Sequence, residues 1–135
     1  MKGYAIQVEK VTRKNADFRR VLYTGKHCQL VLMSLKPLEE IGAETHEDRD
    51  QFFRFERGEG KVVIDGVEHR VKDGDGIIVP AGARHNVITL LSEQALHYTR
   101  FTPHLNTRMV WFVTRKGKRW QVRSISTGEP QSSRT

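Results

Sequence analysis

Short strand-like runs that recur every eight to twelve residues constrain the fold of this chain more than any other feature of its sequence. Turn signals separate these runs, among them Asp65-Gly66, Gly58-Glu59-Gly60 and Pro80-Ala81-Gly82. An Asp-Gly pair between two apolar runs favours a two-residue hairpin, because both of its turn positions need a positive φ. Helical periodicity of any length is hard to find. The pattern therefore predicts an all-β fold, either a sandwich or a barrel.

The charge of the chain is concentrated at its C-terminal end. Residues 108–135 hold seven of the 23 Lys and Arg residues but only one of the 16 Asp and Glu residues, so they carry +6 of the net charge of +7. We predict one domain over residues 1–126, with a basic β-hairpin over 108–124 and a disordered tail over 127–135. Because no nucleic-acid motif accompanies the basic residues, we do not expect nucleic-acid binding.

Apolar residues lie on both faces of the first strand of this hairpin, Met109–Thr114. A strand that is apolar on both faces should be covered on both sides. We therefore expect the hairpin to pack against the rest of the domain or against a partner subunit, with its basic turn in water.

The sequence also bounds the cellular setting of the protein. No apolar run approaches the roughly twenty residues of a membrane span, and the N-terminal residues lack the apolar core of a secretory signal. A single cysteine, Cys28, excludes an internal disulfide and any metal site built from several cysteines. We expect a cytoplasmic protein without membrane attachment.

Alternation along the run Gln51–Arg57 assigns its side chains to two faces. One face carries Gln51, Phe53 and Phe55, and the other carries two charged residues and a phenylalanine. Since burying charged groups without partners is costly, we expect the first face to point inward. Phe53 and Phe55 would then form apolar walls of an interior pocket beside Gln51.

The run Ala95–Phe101 carries polar residues on both of its faces. Arg100 favours solvent for its own face, which would bring His97 and Phe101 into the interior. His97 is then a candidate catalytic proton carrier, or alternatively a satisfied structural histidine. Phe101 would line the pocket, and His104, in a predicted loop, is a further candidate substrate contact.

Four polar residues, Glu44, His46, Gln51 and His85, are candidates for an interior metal site. Glu44 and His46 are two residues apart, so they share one face of an extended strand. Imidazole nitrogens together with a carboxylate suit Mn, Fe, Ni or Zn better than Ca, which prefers oxygen alone. The alternative is a buried hydrogen-bond cluster that holds no metal.

Two stretches of the sequence resemble the two motifs of the cupin superfamily. In the first, Ile41–Gly60, His46 stands at the second histidine of the family pattern, Glu44 at the first histidine and Gln51 at the glutamate. The second stretch, Gly74–Asn86, matches the family pattern at four positions and is followed by a threonine where asparagine is usual. Those four matching positions are Gly74, Pro80, Gly82 and His85.

The resemblance covers most of residues 38–103 and implies the cupin double-stranded β-helix, a jelly-roll barrel. The chain is similar to the small single-domain cupins described as mannose-6-phosphate-isomerase-like. By that likeness, Glu44, His46, Gln51 and His85 would bind one divalent ion, Mn, Fe, Ni or Zn. The function implied is that of a metal-dependent enzyme, an isomerase or a dioxygenase, acting on a small sugar or keto-acid-like molecule. The alternative is a non-catalytic cupin that binds or senses a small molecule.

We predict a homodimer, because the small cupins that this chain resembles commonly pair. The alternation over Ala5–Val11 predicts an edge strand, and an unpaired edge strand is a template for a neighbouring chain. Phe52, on the outward face of its run, would offer apolar surface that a monomer leaves in water.

Overall fold

The computed structural model describes residues 2–103 and the backbone of residues 107–113 and 120–126. These residues form one helix and eleven strands. The elements are α1 (Val8–Lys14), β1 (Arg19–Thr24), β2 (Cys28–Leu35), β3 (Glu44–Thr45), β4 (Gln51–Arg57), β5 (Glu59–Ile64), β6 (Val67–Lys72), β7 (Gly76–Val79), β8 (Arg84–Thr89), β9 (Leu96–Pro103), β10 (Thr107–Val113) and β11 (Trp120–Ser126).

Two antiparallel sheets form the body of the molecule. One has five strands in the order β1-β2-β9-β4-β7, and the other has four in the order β3-β8-β5-β6. Their inner faces share one apolar core, to which both sheets contribute buried side chains such as Met33, Phe55, Val62 and Tyr98. Two sheets joined by crossovers around one core make a jelly-roll barrel, so the all-β prediction is confirmed.

The turn between β5 and β6 has the hairpin conformation that its sequence predicts. Ile64 pairs directly with Val67, and the two residues between them have positive φ angles, +46° at Asp65 and +83° at Gly66. Arg84 donates its backbone N–H to Asp65 Oδ1 at 2.9 Å. This bond ties the hairpin turn to the start of β8.

The predicted edge strand over Ala5–Val11 is wrong. Val8–Lys14 form a helix that lies on the outer face of the five-stranded sheet, where the hydroxyls of Thr12 and Thr99 are 2.7 Å apart. Thr99 is in register with Leu32, which is fully buried on the same outer face. The tertiary packing of the helix therefore overrides a weak alternating pattern of only a few residues.

The C-terminal hairpin predicted over residues 108–124 is present as a separate two-stranded sheet. Its strands β10 and β11 pair antiparallel from Thr107 opposite Ser126 to Val113 opposite Trp120. The predicted packing of its side chains, its basic turn and the tail over 127–135 lie outside the described residues.

Within the described ranges, no helix is long and apolar enough to cross a membrane.

Candidate metal centre

Three of the four predicted ligands come together where β3 and β8 pair. Glu44 on β3 lies directly opposite His85 on β8, and His46 follows two residues after Glu44. Each of the three offers one ligand atom, and these atoms all lie within 4.8 Å of one another. His46 Nε2 is 3.7 Å from Glu44 Oε1, and the two imidazole centroids are 5.6 Å apart.

A tight turn before β8 delivers His85 to this point. Pro80 begins the turn, and the Ala83 N–H donates to its carbonyl at 3.1 Å. Gly82 takes a φ of +87°, a conformation that a side chain would strain. Its N–H donates to the His46 carbonyl oxygen at 2.8 Å. The second sequence motif is therefore bonded through its backbone to the first.

The environment of His85 favours the form of imidazole that binds metal. Burial lowers the pKa of His85, so the ring is neutral at physiological pH. Its Nδ1 is 3.1 Å from the Ala83 carbonyl oxygen, and a proton on Nδ1 would satisfy that acceptor. The lone pair on Nε2 then remains for a metal ion, and the backbone bond sets the orientation of the ring.

Gln51, the fourth predicted ligand, begins β4 on the inner face of the five-stranded sheet. Its amide nitrogen donates to the Thr102 hydroxyl at 3.2 Å. Its Oε1 is buried and accepts no hydrogen bond. An unpaired buried acceptor costs about 1–3 kcal/mol, and a cation beside this oxygen would offset that cost. The donor set of two imidazoles, a carboxylate and an amide oxygen therefore fits a divalent transition ion.

The inward placement of Phe53 and Phe55 is confirmed, since both rings are buried. Phe53 packs edge-on against Phe55 with centroids 6.5 Å apart, and its ring lies 6.2 Å from that of His85. Tyr98 completes this wall at 5.5 Å from Phe53 and 4.9 Å from Phe55. One side of the His85 ring therefore faces aromatic surface.

The predicted interior placement of His97 and Phe101 is wrong. In β9, Tyr98 lies opposite Phe55 and Arg100 lies opposite Phe53, so these two residues share the inner face. His97 and Phe101 consequently point outward. His97 lies beside the backbone of helix α1, and burial there lowers its pKa. Phe101 is 37% exposed, and His104 lies outside the described residues.

Arg100 is a buried residue on the inner face of β9 that sequence reasoning missed. It is only 3% exposed, and burial lowers the pKa of its guanidinium, opposed by the electrostatic influence of Tyr98 and Glu44. The rule that charges avoid interiors fails here because the electrostatic influence of Tyr98 and Glu44 favours the charged form of this guanidinium. The apolar partners Leu96 and Tyr98 on the same face were the sequence signal that could have placed it.

A family model described as a cupin domain matches residues 31–101, more than half of the chain. The chain belongs to the cupin family. The match includes all four candidate ligands, and it confirms the resemblance stated above.

Two curated relatives and one crystal structure are similar to this cupin. YrkC of Bacillus subtilis (strain 168) is 38% identical over 108 residues, which are 76% of this chain and 58% of that protein. L612 of Acanthamoeba polyphaga mimivirus is 40% identical over 105 residues, 74% of this chain and 65% of that protein. This cupin thus spans less than two thirds of either relative. The crystal structure of BH2720 from Bacillus halodurans superposes with a TM-score of 0.71 at 35% identity, covering 76% of this chain and 82% of that one.

Proposed function

We propose that this cupin is a cytoplasmic protein that binds one divalent ion, Mn, Fe, Ni or Zn, through Glu44, His46, Gln51 and His85. We propose further that it is a metal-dependent enzyme for a small sugar or keto-acid-like molecule. The observation that carries the proposal is the buried cluster of Glu44, His46 and His85, whose ligand atoms lie within 4.8 Å of one another. An ion held there supplies Lewis-acid polarisation of a carbonyl or enediol oxygen.

The side chains around the site supply negative charge, orient the ligands and exclude water from one side of it. Glu44 contributes one negative charge among the four ligands, and Gln51 contributes a neutral oxygen held in place by Thr102. Phe53 covers one side of the His85 ring, and excluding water there strengthens every electrostatic interaction nearby. Burial raises the pKa of Tyr98, so its phenol stays protonated at neutral pH.

A non-catalytic cupin that binds or senses a small molecule is the second candidate, and the position of His97 favours it. His97 was the expected proton carrier, but it faces helix α1 instead of the interior. Tyr98 and Arg100 lie on the inner face of β9, opposite Phe55 and Phe53, and neither exchanges a proton readily near neutral pH. Isomerisation needs a group that does.

Hydrogen exchange into a carbonyl compound separates the two candidates. The protein is loaded with Mn²⁺ and incubated with pyruvate or dihydroxyacetone in D₂O, and the proton signal of the carbon beside the carbonyl is followed by NMR. The enzyme candidate predicts that this signal decays at least tenfold faster with the wild-type protein than with His46→Ala, because enolisation labilises this proton. Binding without any acceleration of exchange would contradict the enzyme and favour the second candidate.

We also propose a homodimer, formed through a face of the five-stranded sheet instead of through an edge strand. Phe52 pairs with Ile78 on one side and with Phe101 on the other, and Phe101 pairs with Leu30. The four side chains form one row on the outer face, and Phe52 is 38%, Phe101 37% and Ile78 60% exposed. A two-fold axis through this row would place two copies of one apolar surface against each other.

Phe52→Glu tests this dimer. The wild-type protein should show twice the 15.6 kDa mass of one chain in light scattering, and the variant should show the mass of one chain, because an ionised carboxylate cannot be buried in an apolar interface. Val67→Glu is the matched control, since Val67 is 58% exposed in the β5–β6 hairpin, away from the row. A monomeric wild-type protein at micromolar concentration would refute the dimer.

A further inference from the structure

We propose that Thr102 is a positioning residue of the metal centre, whose hydroxyl fixes which end of the Gln51 amide faces the ion. The inference rests on the proposed function and deepens it. A carboxylate offers an oxygen at either end, but an amide has an oxygen at one end and an N–H₂ group at the other, and only the oxygen has lone pairs for a cation. Gln51 therefore needs a neighbour that sets its orientation.

Thr102 is the hydrogen-bond partner of Gln51 inside the barrel. Gln51 Nε2 donates to Thr102 Oγ1 at 3.2 Å, and the two residues are only 2% and 1% exposed. Gln51 Oε1 is buried and accepts no hydrogen bond. With its nitrogen end held by Thr102, the amide has its oxygen end left for the ion.

Gln29 determines the direction of this hydrogen bond. A hydroxyl can accept or donate, so Thr102 alone would not choose between the two ends of the amide. Gln29 lies directly opposite Thr102 on β2, and its Nε2 donates to Thr24 Oγ1 at 3.1 Å. Its Oε1 is buried and accepts no hydrogen bond. We place the hydroxyl hydrogen of Thr102 toward this oxygen, so that Thr102 accepts from Gln51.

The four side chains form one polar row across the inner face of the five-stranded sheet. Thr24 pairs with Gln29, and Gln29 pairs with Thr102, which meets Gln51 of β4. With the Thr102 hydrogen so placed, every donor in the row points from Gln51 toward Thr24. Hydrogen bonds aligned in this way polarise one another and draw negative charge onto the Gln51 oxygen. The row thus improves a neutral amide as a metal ligand.

Calorimetric titration with Mn²⁺ tests the role of the Thr102 hydroxyl. Thr102→Val keeps the shape of the side chain but removes the hydroxyl, and it should weaken Mn²⁺ binding about ten- to a hundredfold, the usual effect of losing a group that orients a ligand. Thr102→Ser keeps the hydroxyl and should bind Mn²⁺ like the wild-type protein. Thr99→Val is the matched control, because its hydroxyl lies 2.7 Å from that of Thr12 on the outer face of the same strand. It should leave the Mn²⁺ affinity unchanged.

The same substitution in a Gln51→Glu background separates orientation of the ligand from packing. Glutamate presents an oxygen to the ion whichever way its carboxylate turns, so the loss of the Thr102 hydroxyl should then cost about threefold or less in Mn²⁺ affinity. A merely structural role for Thr102 predicts equal losses in the two backgrounds. Circular dichroism checks that each variant is folded.

An NMR titration of the wild-type protein requires no Thr102 variant to fold. Zn²⁺, which is diamagnetic, is added to ¹⁵N-labelled protein, and the side-chain N–H₂ signals of Gln51 are identified by their absence from Gln51→Glu. We expect these signals to move downfield with both protons retained, because an ion on the oxygen withdraws electron density from the amide nitrogen.

Equal losses of Mn²⁺ affinity from Thr102→Val in the two backgrounds would overturn the inference and leave the proposed metal site standing. Zn²⁺ binding that leaves the Gln51 signals unmoved would also overturn it, and would reduce the ligand set to Glu44, His46 and His85. A wild-type protein that binds no divalent ion would instead refute the proposed function, and this inference with it.

Discussion

His46→Ala is expected to weaken the binding of a divalent ion by more than a hundredfold while the barrel stays folded. Replacing residues that only orient a ligand already costs ten- to a hundredfold in metal affinity, and His46 would donate directly to the ion. His46 does not belong to the apolar core, so its removal should leave the two sheets intact. Titration with Mn²⁺ and elemental analysis measure the affinity, and circular dichroism checks the fold.

Two further variants test whether the loss of metal affinity is specific to the proposed site. His69→Ala removes a histidine that is exposed on β6, and it should leave the metal affinity unchanged. Gln51→Glu replaces a neutral amide oxygen with a charged carboxylate, and it should tighten binding because a divalent cation prefers the charged donor. If His46→Ala kept the metal content of the wild-type protein, the four residues would be better described as a buried hydrogen-bond cluster.

Gly58→Ala is expected to destabilise the protein by about 3 kcal/mol or more, a large loss for one methyl group. Gly58 follows β4 with a φ of +92°, a conformation that strains any residue with a Cβ atom. A Cβ atom at this position would also overlap the Ala95 carbonyl oxygen and lie 3.1 Å from Leu96 Cα. Both neighbours are backbone atoms at or just before the start of β9, so β4 and β9 would have to move apart to remove the overlap.

Gly74→Ala is the matched control for Gly58→Ala. Gly74 has nearly the same φ, +90°, but a Cβ atom there would meet nothing within 4 Å. The Gly74→Ala substitution should therefore lower the free energy of unfolding only by the cost of the backbone conformation, about 1–2 kcal/mol. Urea unfolding followed by circular dichroism gives both free energies, and their difference measures the clash with β9. Equal losses would show that β9 shifts to accept the methyl group.

Local rules predicted much of this fold correctly because their causes are local. The positive φ angles of Asp65-Gly66 and Gly82 depend on a residue and its immediate neighbours. Alternation placed Gln51 and its two phenylalanines inward, because the opposite face of the same strand carries Arg54 and Glu56. Here Glu56 is itself buried, 2.8 Å from the Arg54 guanidinium, so the rule ranked the two faces correctly although one charged side chain is covered.

The errors have a different cause, which is visible in β9. Alternation shows that His97 and Arg100 lie on opposite faces, but it cannot say which of those faces points inward. That choice depended on partners distant in sequence: Glu44 opposes the charge of Arg100 within the barrel, and helix α1 covers His97 from outside.

From the sequence alone came the all-β fold, the turns and the four candidate ligands, because alternation, turn propensity and motif spacing act over a few residues. Only the tertiary structure decided that Glu44 lies opposite His85, that Arg100 is buried on the inner face of β9 and that Phe101 faces outward. Those facts depend on pairing between strands far apart in the chain. The free energy of such pairing comes from packing and charge across the whole barrel, which no single segment contains.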